Sequence, residues 1–364
     1  VTVAADHVEA LAEAIRSGPR VLPVAGGTKP GLSRPPAGED VVALDVSGLR
    51  GITEYDPAEL TLTALAGTPV SEVVDALAVH DQYLPFDPPL ADAGATLGGV
   101  VAAGTSGANA LRHGGVRDFV IGVKLLDGTG RLVSGGGKVV KNAAGFDLPK
   151  LMVGSLGSLG VMVQLSFKVF PRPRATTTLA FALPSRAAQL DALTRVNRGP
   201  VQVDALDLDA DGVLVRLGGD AEALAARAQR LCASIDADVR RLDGTDDAAV
   251  WRDAAELSWV PAGSRVVRAA LTLRDVPGLD AALAPFSALV RYSLSANLAW
   301  IAWPAEHDVA HLGAALAALG RTGVVVIDPE TAPGRPRVIG APTGGRFGSR
   351  VRSALDPHAR FLEA

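Results

Sequence analysis

Apolar residues recur along this chain with two periods. Near the start, Val8, Leu11, Ala12 and Ile15 fall at helical spacing behind Asp6-His7-Val8-Glu9, a capping-box pattern, and Gly18-Pro19 ends the run. Val21 to Ala25 is a short apolar run read as a strand, and it feeds Gly26-Gly27-Thr28-Lys29-Pro30-Gly31. Val41 to Asp45 predicts another strand. Gly51 to Tyr55 and Leu60 to Ala66 predict a hairpin around Asp56-Pro57. Thr68-Pro69 predicts a cap and a first-turn proline for a helix that buries Val70, Val73, Val74 and Leu77. A rigid turn, Pro85 to Pro89, leads into a glycine-rich stretch, Ala93 to Val161. Inside it, residues 119–133 predict a hairpin with Asp127-Gly128 at its turn. Asp147 starts a short helix ended by Gly154, Gly160 to Val169 predicts a long strand, and Pro171-Arg172-Pro173 closes it.

From Thr176 the texture changes. Glycine thins out, alanine and arginine rise, and no lysine follows Lys168. The pattern predicts a strand over Thr177 to Leu183, a helix over Ser185 to Val196, paired strands around Asp211-Gly212, and a helix over Asp220 to Ile235. It then recurs as a strand over Val266 to Leu273, a helix over Val276 to Leu289 and strands at Tyr292 to Leu294 and Leu298 to Trp303. A helix over Glu306 to Leu319 and a strand over Val324 to Ile327 complete it. This βαββαβ-like order predicts an antiparallel sheet with helices on one face. A last helix around Phe347, Val351 and Leu355 ends at Asp356-Pro357.

Composition narrows the function classes. At 364 residues, two or three domains are expected, and 48% hydrophobic against 20% charged residues excludes global disorder. A net charge of −4 offers no footprint for nucleic acid or an anionic membrane. The single cysteine, Cys232, allows no disulfide within the chain, which fits a reducing compartment. No apolar run is long enough to span a membrane, and the first residues lack a signal-peptide pattern.

The glycines carry the candidate chemistry. A strand running into a glycine turn with free amides is an anion cradle or an ordinary tight loop. The Rossmann fingerprint is absent, because Gly154, Gly157 and Gly160 are wrongly spaced and precede a strand. The Walker pattern fails too, because Val139 follows Lys138 and Leu132 stands where its first glycine belongs. His307 and His311 are expected to face solvent and hold no metal. His113, between Arg112 and Gly114, is the one histidine placed for chemistry and equally reads as a loop residue. Arg112, Arg117, Lys138, Lys141 and Lys150 flank the glycines and together suit a diphosphate.

These residues match a known pattern. VAGGTKPG, PFDPP, ATLGGVVAAGTSG, RHGGVRDFVIGVKLLDGTG and GGGKVVKNAAGFDLPKLMVGSLGSLGVM together resemble the PCMH-type FAD-binding domain of the vanillyl-alcohol oxidase superfamily. GITEYDPAELTLTALAGTP, VRDFVIG and KVFPRPRA narrow the likeness to the FAD-binding E-subunit family of bacterial glycolate oxidases. The resemblance covers about the first half of the chain.

It implies an α+β fold: a PCMH-type domain of two α/β subdomains over residues 1–174, and a ferredoxin-like antiparallel cap over 175–333. Residues 334–364 then form a segment returning toward the FAD domain. It implies FAD as cofactor, Gly26, Gly27, Thr28, Lys29, Pro30 and Gly31 being the pyrophosphate turn. Pro88, Thr96, Gly98, Gly99, Thr105, Ser106, Gly107 and Arg112, with Gly160 and Val161, are the further cofactor residues.

Relatives attach flavin through a histidine in the first glycine loop or a cysteine in the second segment. Here Thr28-Lys29 fill the loop and Cys232 is distant in sequence, so the FAD is expected to be non-covalent. The His-x-His-x-Gly-Asp-x-Asn-like metal and base motif of related hydroxy-acid dehydrogenases is missing, which leaves His113 as the catalytic candidate. The chain ends without the usual Phe-Asn-Pro-Gly. The resemblance implies a subunit that binds FAD in a complex oxidising glycolate, a 2-hydroxy acid, to glyoxylate and relays electrons. Its partners would be a catalytic flavoprotein subunit and an iron–sulfur subunit, in the cytoplasm or peripheral to the inner face of the membrane. An autonomous oxidoreductase for another hydroxy acid or sugar alcohol, and a non-catalytic structural subunit, stay open beside it.

Overall fold

The computed structural model describes residues 2–4, 7–33, 35, 37–38, 40–137, 146–330, 336–341 and 346–363. Asp6, Lys138 and Lys141 lie outside them. In the first part, β1 (Thr2–Ala4), α1 (Val8–Ser17), β2 (Arg20–Val24) and β3 (Val41–Asp45) build a parallel sheet of order β1-β3-β2. Leu11, Ala12 and Ile15 of α1 pack with Val21 and Leu44 in its core, as the helical spacing predicts. The cap of α1 is His7, whose side chain makes no capping bond.

A second sheet follows. β4 (Ile52–Asp56), β5 (Thr61–Leu65), α2 (Val70–Ala78), β6 (Gln82–Tyr83), α3 (Leu97–Ala103), α4 (Ala110–His113), α5 (Val116–Phe119), β7 (Val120–Leu126), β8 (Leu132–Gly136), α6 (Leu148–Met152), β9 (Val161–Lys168) and β10 (Phe170–Pro171) complete the first part. Five of its strands form an antiparallel sheet in the order β4-β5-β9-β7-β8. Asp127 closes the β7–β8 hairpin, accepting from the amides of Thr129 at 2.9 Å and Arg131 at 3.1 Å. Thr68 does not cap α2. Its Oγ1 accepts from the Gly51 amide at 2.9 Å and pins the start of β4, so Pro69 is the cap residue.

The remaining sheet contains two copies of one unit. β11 (Ala175–Ala182), α7 (Arg186–Arg198), β12 (Ala205–Leu208), β13 (Gly212–Gly219), α8 (Ala221–Ser234) and β14 (Asp238–Asp243) form the first, in the order β14-β11-β13-β12. After α9 (Gly244–Ala255), the unit repeats as β15 (Arg265–Ala270), α10 (Val276–Leu283), β16 (Leu289–Ser293), β17 (Leu298–Trp303), α11 (Val309–Ala318) and β18 (Thr322–Ile327). The halves join edge to edge where Leu208 pairs with Tyr292, and β19 (Val338–Gly340) adds the last strand of one nine-stranded antiparallel sheet. The ferredoxin-like order expected from the periodicity is therefore present twice. β14 and α9 were not predicted, because their exposed strand face and short apolar run leave little pattern. The helix predicted from Glu306 starts only at Val309, with Asp308 as its cap.

The two parts pack directly. Leu257, Val266, Trp300 and Val326 join the core of the five-stranded sheet. Gly31 abuts the backbone of β18, where a Cβ would collide with the Val325 carbonyl. Arg268 of β15 donates to the carbonyls of Gly104 at 2.5 Å and Ala103 at 3.3 Å, capping the C-terminus of α3. After α12 (Arg346–Leu355), the chain end returns to the first sheet. The Val21 amide donates to Arg360 O at 2.7 Å, and Phe361 is 1% exposed in the core under α1.

Candidate functional site

The groove lies where three glycine segments meet. Its walls are Pro23 to Lys29 after β2, Thr96, Gly98, Gly99, Ala102 and Ala103 of α3, and Gly157, Gly160 and Val161 leading into β9. It is an open groove with a water-accessible volume of about 100 Å³.

Each glycine there has its own reason. At Gly26 a Cβ would collide with the Gly94 carbonyl. Gly27 has φ +66 with nothing within 4 Å of a Cβ, so its free side is the groove itself. The amide of Gly98 is spent on Ala66 O at 2.7 Å, and that of Gly99 on Thr96 Oγ1 at 3.3 Å. These two glycines admit close approach and do not offer donors. The free donors are elsewhere. Among the described residues, the amides of Gly26, Gly27, Thr28 and Lys29 have no acceptor. Consecutive free amides around a left-handed residue form an anion-binding nest.

Lys29 completes the nest. It is 7% exposed, lines the groove, and its Nζ reaches Thr28 Oγ1 at 3.2 Å with no carboxylate partner among the described residues. Burial pulls its ammonium down to about 8, with Glu256 opposing and Arg268 assisting. A buried cation without a counter-ion, beside four free amides, suits a phosphate-bearing ligand.

Other expected site residues lie apart. Pro30 opens a short turn and Gly31 faces β18. Thr105 follows α3 fully buried, and its Oγ1 has no partner. Ser106 Oγ accepts from the Val116 amide at 2.9 Å. Ser106, Gly107 and Pro88 line cavities between the two parts of the chain. Arg112 does not reach the groove; it pairs with Asp204, just before β12 of the nine-stranded sheet. Arg117 donates to Lys150 O at 2.7 Å and Lys150 pairs with Asp147 at 3.4 Å, so the cation at the groove is Lys29 instead of this cluster.

His113 is also away from the groove. Its ring meets Tyr83 and Phe170 edge-on, Nε2 is 3.3 Å from the Tyr83 hydroxyl, and burial pulls its pKa down. His307 is not simply solvent-facing, since its ring packs against Phe286 and Trp303. No group of three metal-ligating side chains occurs among the described residues. No described helix is long and apolar enough to cross a membrane. Sequence reasoning missed Arg268, which holds the far end of α3 from another sheet. No local pattern marks such a residue.

Comparison with known proteins agrees with this geometry. Residues 1–136 match the model of the FAD binding domain family. The glycolate oxidase subunit GlcE of Escherichia coli (strain K12) is 41% identical over 197 residues, 54% of this chain and 55% of that one. The D-lactate dehydrogenase of Archaeoglobus fulgidus is 33% identical over 133 residues, 36% of this chain and 30% of that one. The matched stretch thus spans about half the length of the first relative and under a third of the second. A solved structure of alkyldihydroxyacetonephosphate synthase superposes with a TM-score of 0.73 over 99% of this chain and 75% of that one, at 16% identity, which speaks for the fold alone. The nest of free amides and the buried Lys29 agree with the match of residues 1–136: this part of the chain is similar to the FAD binding domain family, and FAD is the cofactor it fits.

Proposed function

We propose that this chain is the FAD-binding subunit of a complex that oxidises glycolate to glyoxylate. The observation that carries it is the nest of four free amides around a buried, unpaired Lys29, in a chain similar to a glycolate oxidase subunit. Gly26, Gly27, Thr28 and Lys29 would hold the pyrophosphate. Thr96, Gly98, Gly99, Gly160 and Val161 would bound the rest of the cofactor, with Thr105 to Gly107 leading toward the nine-stranded sheet. When bound, FAD supplies an acceptor for the hydride that leaves the hydroxyl-bearing carbon. Among the described residues no histidine or cysteine lines the groove, and Cys232 packs against the core of the nine-stranded sheet, so attachment is non-covalent.

The chain divides into the FAD-binding domain (1–174), a cap (175–333) and a returning segment (334–364). Its partners are a catalytic flavoprotein subunit and an iron–sulfur subunit, since one cysteine cannot ligate a cluster. They keep it at the cytoplasmic face of the membrane. Oxidising an alcohol needs a base for the hydroxyl proton, an advantage of ~10²–10⁴-fold. His113, held in ring contacts with Tyr83 and Phe170, is not at the groove. The test is glycolate-dependent dye reduction by this chain alone and after reconstitution with both partners. Reduction should be at least ~100-fold faster in the complex; equal rates would refute the need for partners.

A further inference from the structure

The cleft between the two parts of the chain holds a second set of unused donors. Arg216 of β13 and Arg291 of β16 both lie over the Trp251 ring, at 5.9 and 5.8 Å. Arg216 donates from Nη2 to Asp247 at 2.8 Å, and its Nε is buried without a partner. Arg291 donates from Nε to Asp207 at 3.0 Å, and its Nη2 is buried without a partner on a residue only 7% exposed. The nearby aspartates are already engaged. Asp204 takes Arg112, Asp207 takes Arg291 and the Ser293 hydroxyl, and Asp247 takes Arg216 with Thr176 and Thr178.

Opposite them stands Asp87, in the Pro85–Pro89 turn with φ 50 and no ion-pair partner among the described residues. It lines both compartments of the cleft. The wide one, about 750 Å³, includes Arg216, Thr176 and Trp251. The narrow inner one includes Ser106, Gly107, Arg291, Ser293 and Trp300.

Buried guanidinium N–H groups without acceptors are costly and rare, and two beside one cleft call for an anionic acceptor. A free N–H from each of two guanidiniums suits the two oxygens of a carboxylate. We propose that this cleft binds a small organic carboxylic acid, Arg291 and Arg216 donating to its carboxylate and Asp87 facing its hydroxyl. The inner compartment has room for a water-sized group, about 20 Å³, so only the small end of the acid enters it. Burial raises the Asp87 carboxyl above its ordinary range, Arg216 opposing and Asp207 assisting, which reduces its repulsion of an anion. The choice of a hydroxy acid among carboxylic acids rests on the function proposed above; the carboxylate itself does not.

The experiment is calorimetric titration of the purified chain with oxalate, a two-carbon acid with no hydroxyl to oxidise. The wild type should bind one oxalate per chain. Arg291→Gln together with Asp207→Asn removes both members of the buried pair and leaves only the more exposed Asp209, 3.7 Å from Arg291, without its partner. That variant, and separately Arg216→Gln, should weaken binding at least tenfold. No binding by the folded wild type, or binding that both variants retain, overturns the site. Flavin absorbance of the same samples separates the two readings. A chain that holds FAD but no oxalate refutes only the carboxylate site. A chain that binds oxalate but no FAD refutes the proposed function and leaves the carboxylate site standing.

Discussion

The groove and the cleft recognise ligands by opposite means. The groove is backbone: four free amides, glycines that admit close approach, and one lysine. The cleft is side chains: arginines and aspartates brought from β12, β13, β16 and α9 onto one face of a sheet. The groove's parts come mainly from three short glycine segments. The cleft's polar residues are scattered from Asp87 to Ser293 and meet only because two βαββαβ units fuse at Leu208 and Tyr292. A backbone site should be broken by a single added side chain. A side-chain site should be broken by unbalancing its charges.

The largest expected effect is therefore Gly27→Asp. It places a carboxylate on the groove side of a residue at φ +66. Repulsion from a phosphate at about 4 Å and an effective dielectric of 20 is ~4 kcal/mol, and the left-handed backbone adds ~1 kcal/mol. FAD content of the purified, folded variant should fall to near zero; content equal to wild type would remove Gly27 from the site. Next is Asp207→Ala, which leaves Arg291 buried without its main partner. Breaking a buried pair costs ~3–5 kcal/mol. Urea unfolding should show that loss, while Asp207→Asn with Arg291→Gln should recover most of it.

These two changes also mark what the sequence made legible. Gly26 to Lys29, Thr96, Gly98, Gly99 and Gly160 were legible as a set because their glycine spacing sits at strand and helix ends, where local rules apply, and they line one groove. The doubled βαββαβ unit was visible for the same reason, through its alternating and helical periods. Arg112 and the lysines near it looked like the phosphate cluster, yet Arg112 turns to Asp204 across the domain contact. Arg216, Asp247, Trp251 and Arg291 carried no sequence signal, because their juxtaposition depends on strand order. Lys29 was visible as a loop residue, but its burial was not, since that requires β18 of the nine-stranded sheet to cover the turn.

A smaller effect sharpens the comparison at Lys29. Its pKa is about 8 in the folded protein, below its ordinary 10.5. The unfolded chain therefore binds more protons between those values. Without FAD, the fold is penalised at pH 7 and gains stability as pH rises through 8 toward 10.5, by up to ~3 kcal/mol from this group. Lys29→Met should flatten that rise in apoprotein unfolding measured from pH 7 to 10. The same deprotonation removes a charge-assisted donor, so FAD affinity of the wild type should fall above pH 8. In the Lys29→Met variant, FAD should bind ~10-fold or more weakly at pH 7, by the ~1.5–3 kcal/mol of such a bond, with no further fall above pH 8.

The most direct test is acid precipitation of the yellow holoprotein, with flavin measured in supernatant and pellet. A non-covalent cradle of backbone and Lys29 predicts one FAD per chain, all of it in the supernatant. Flavin that stays with the pellet, or a folded chain that never takes up added FAD, would contradict it.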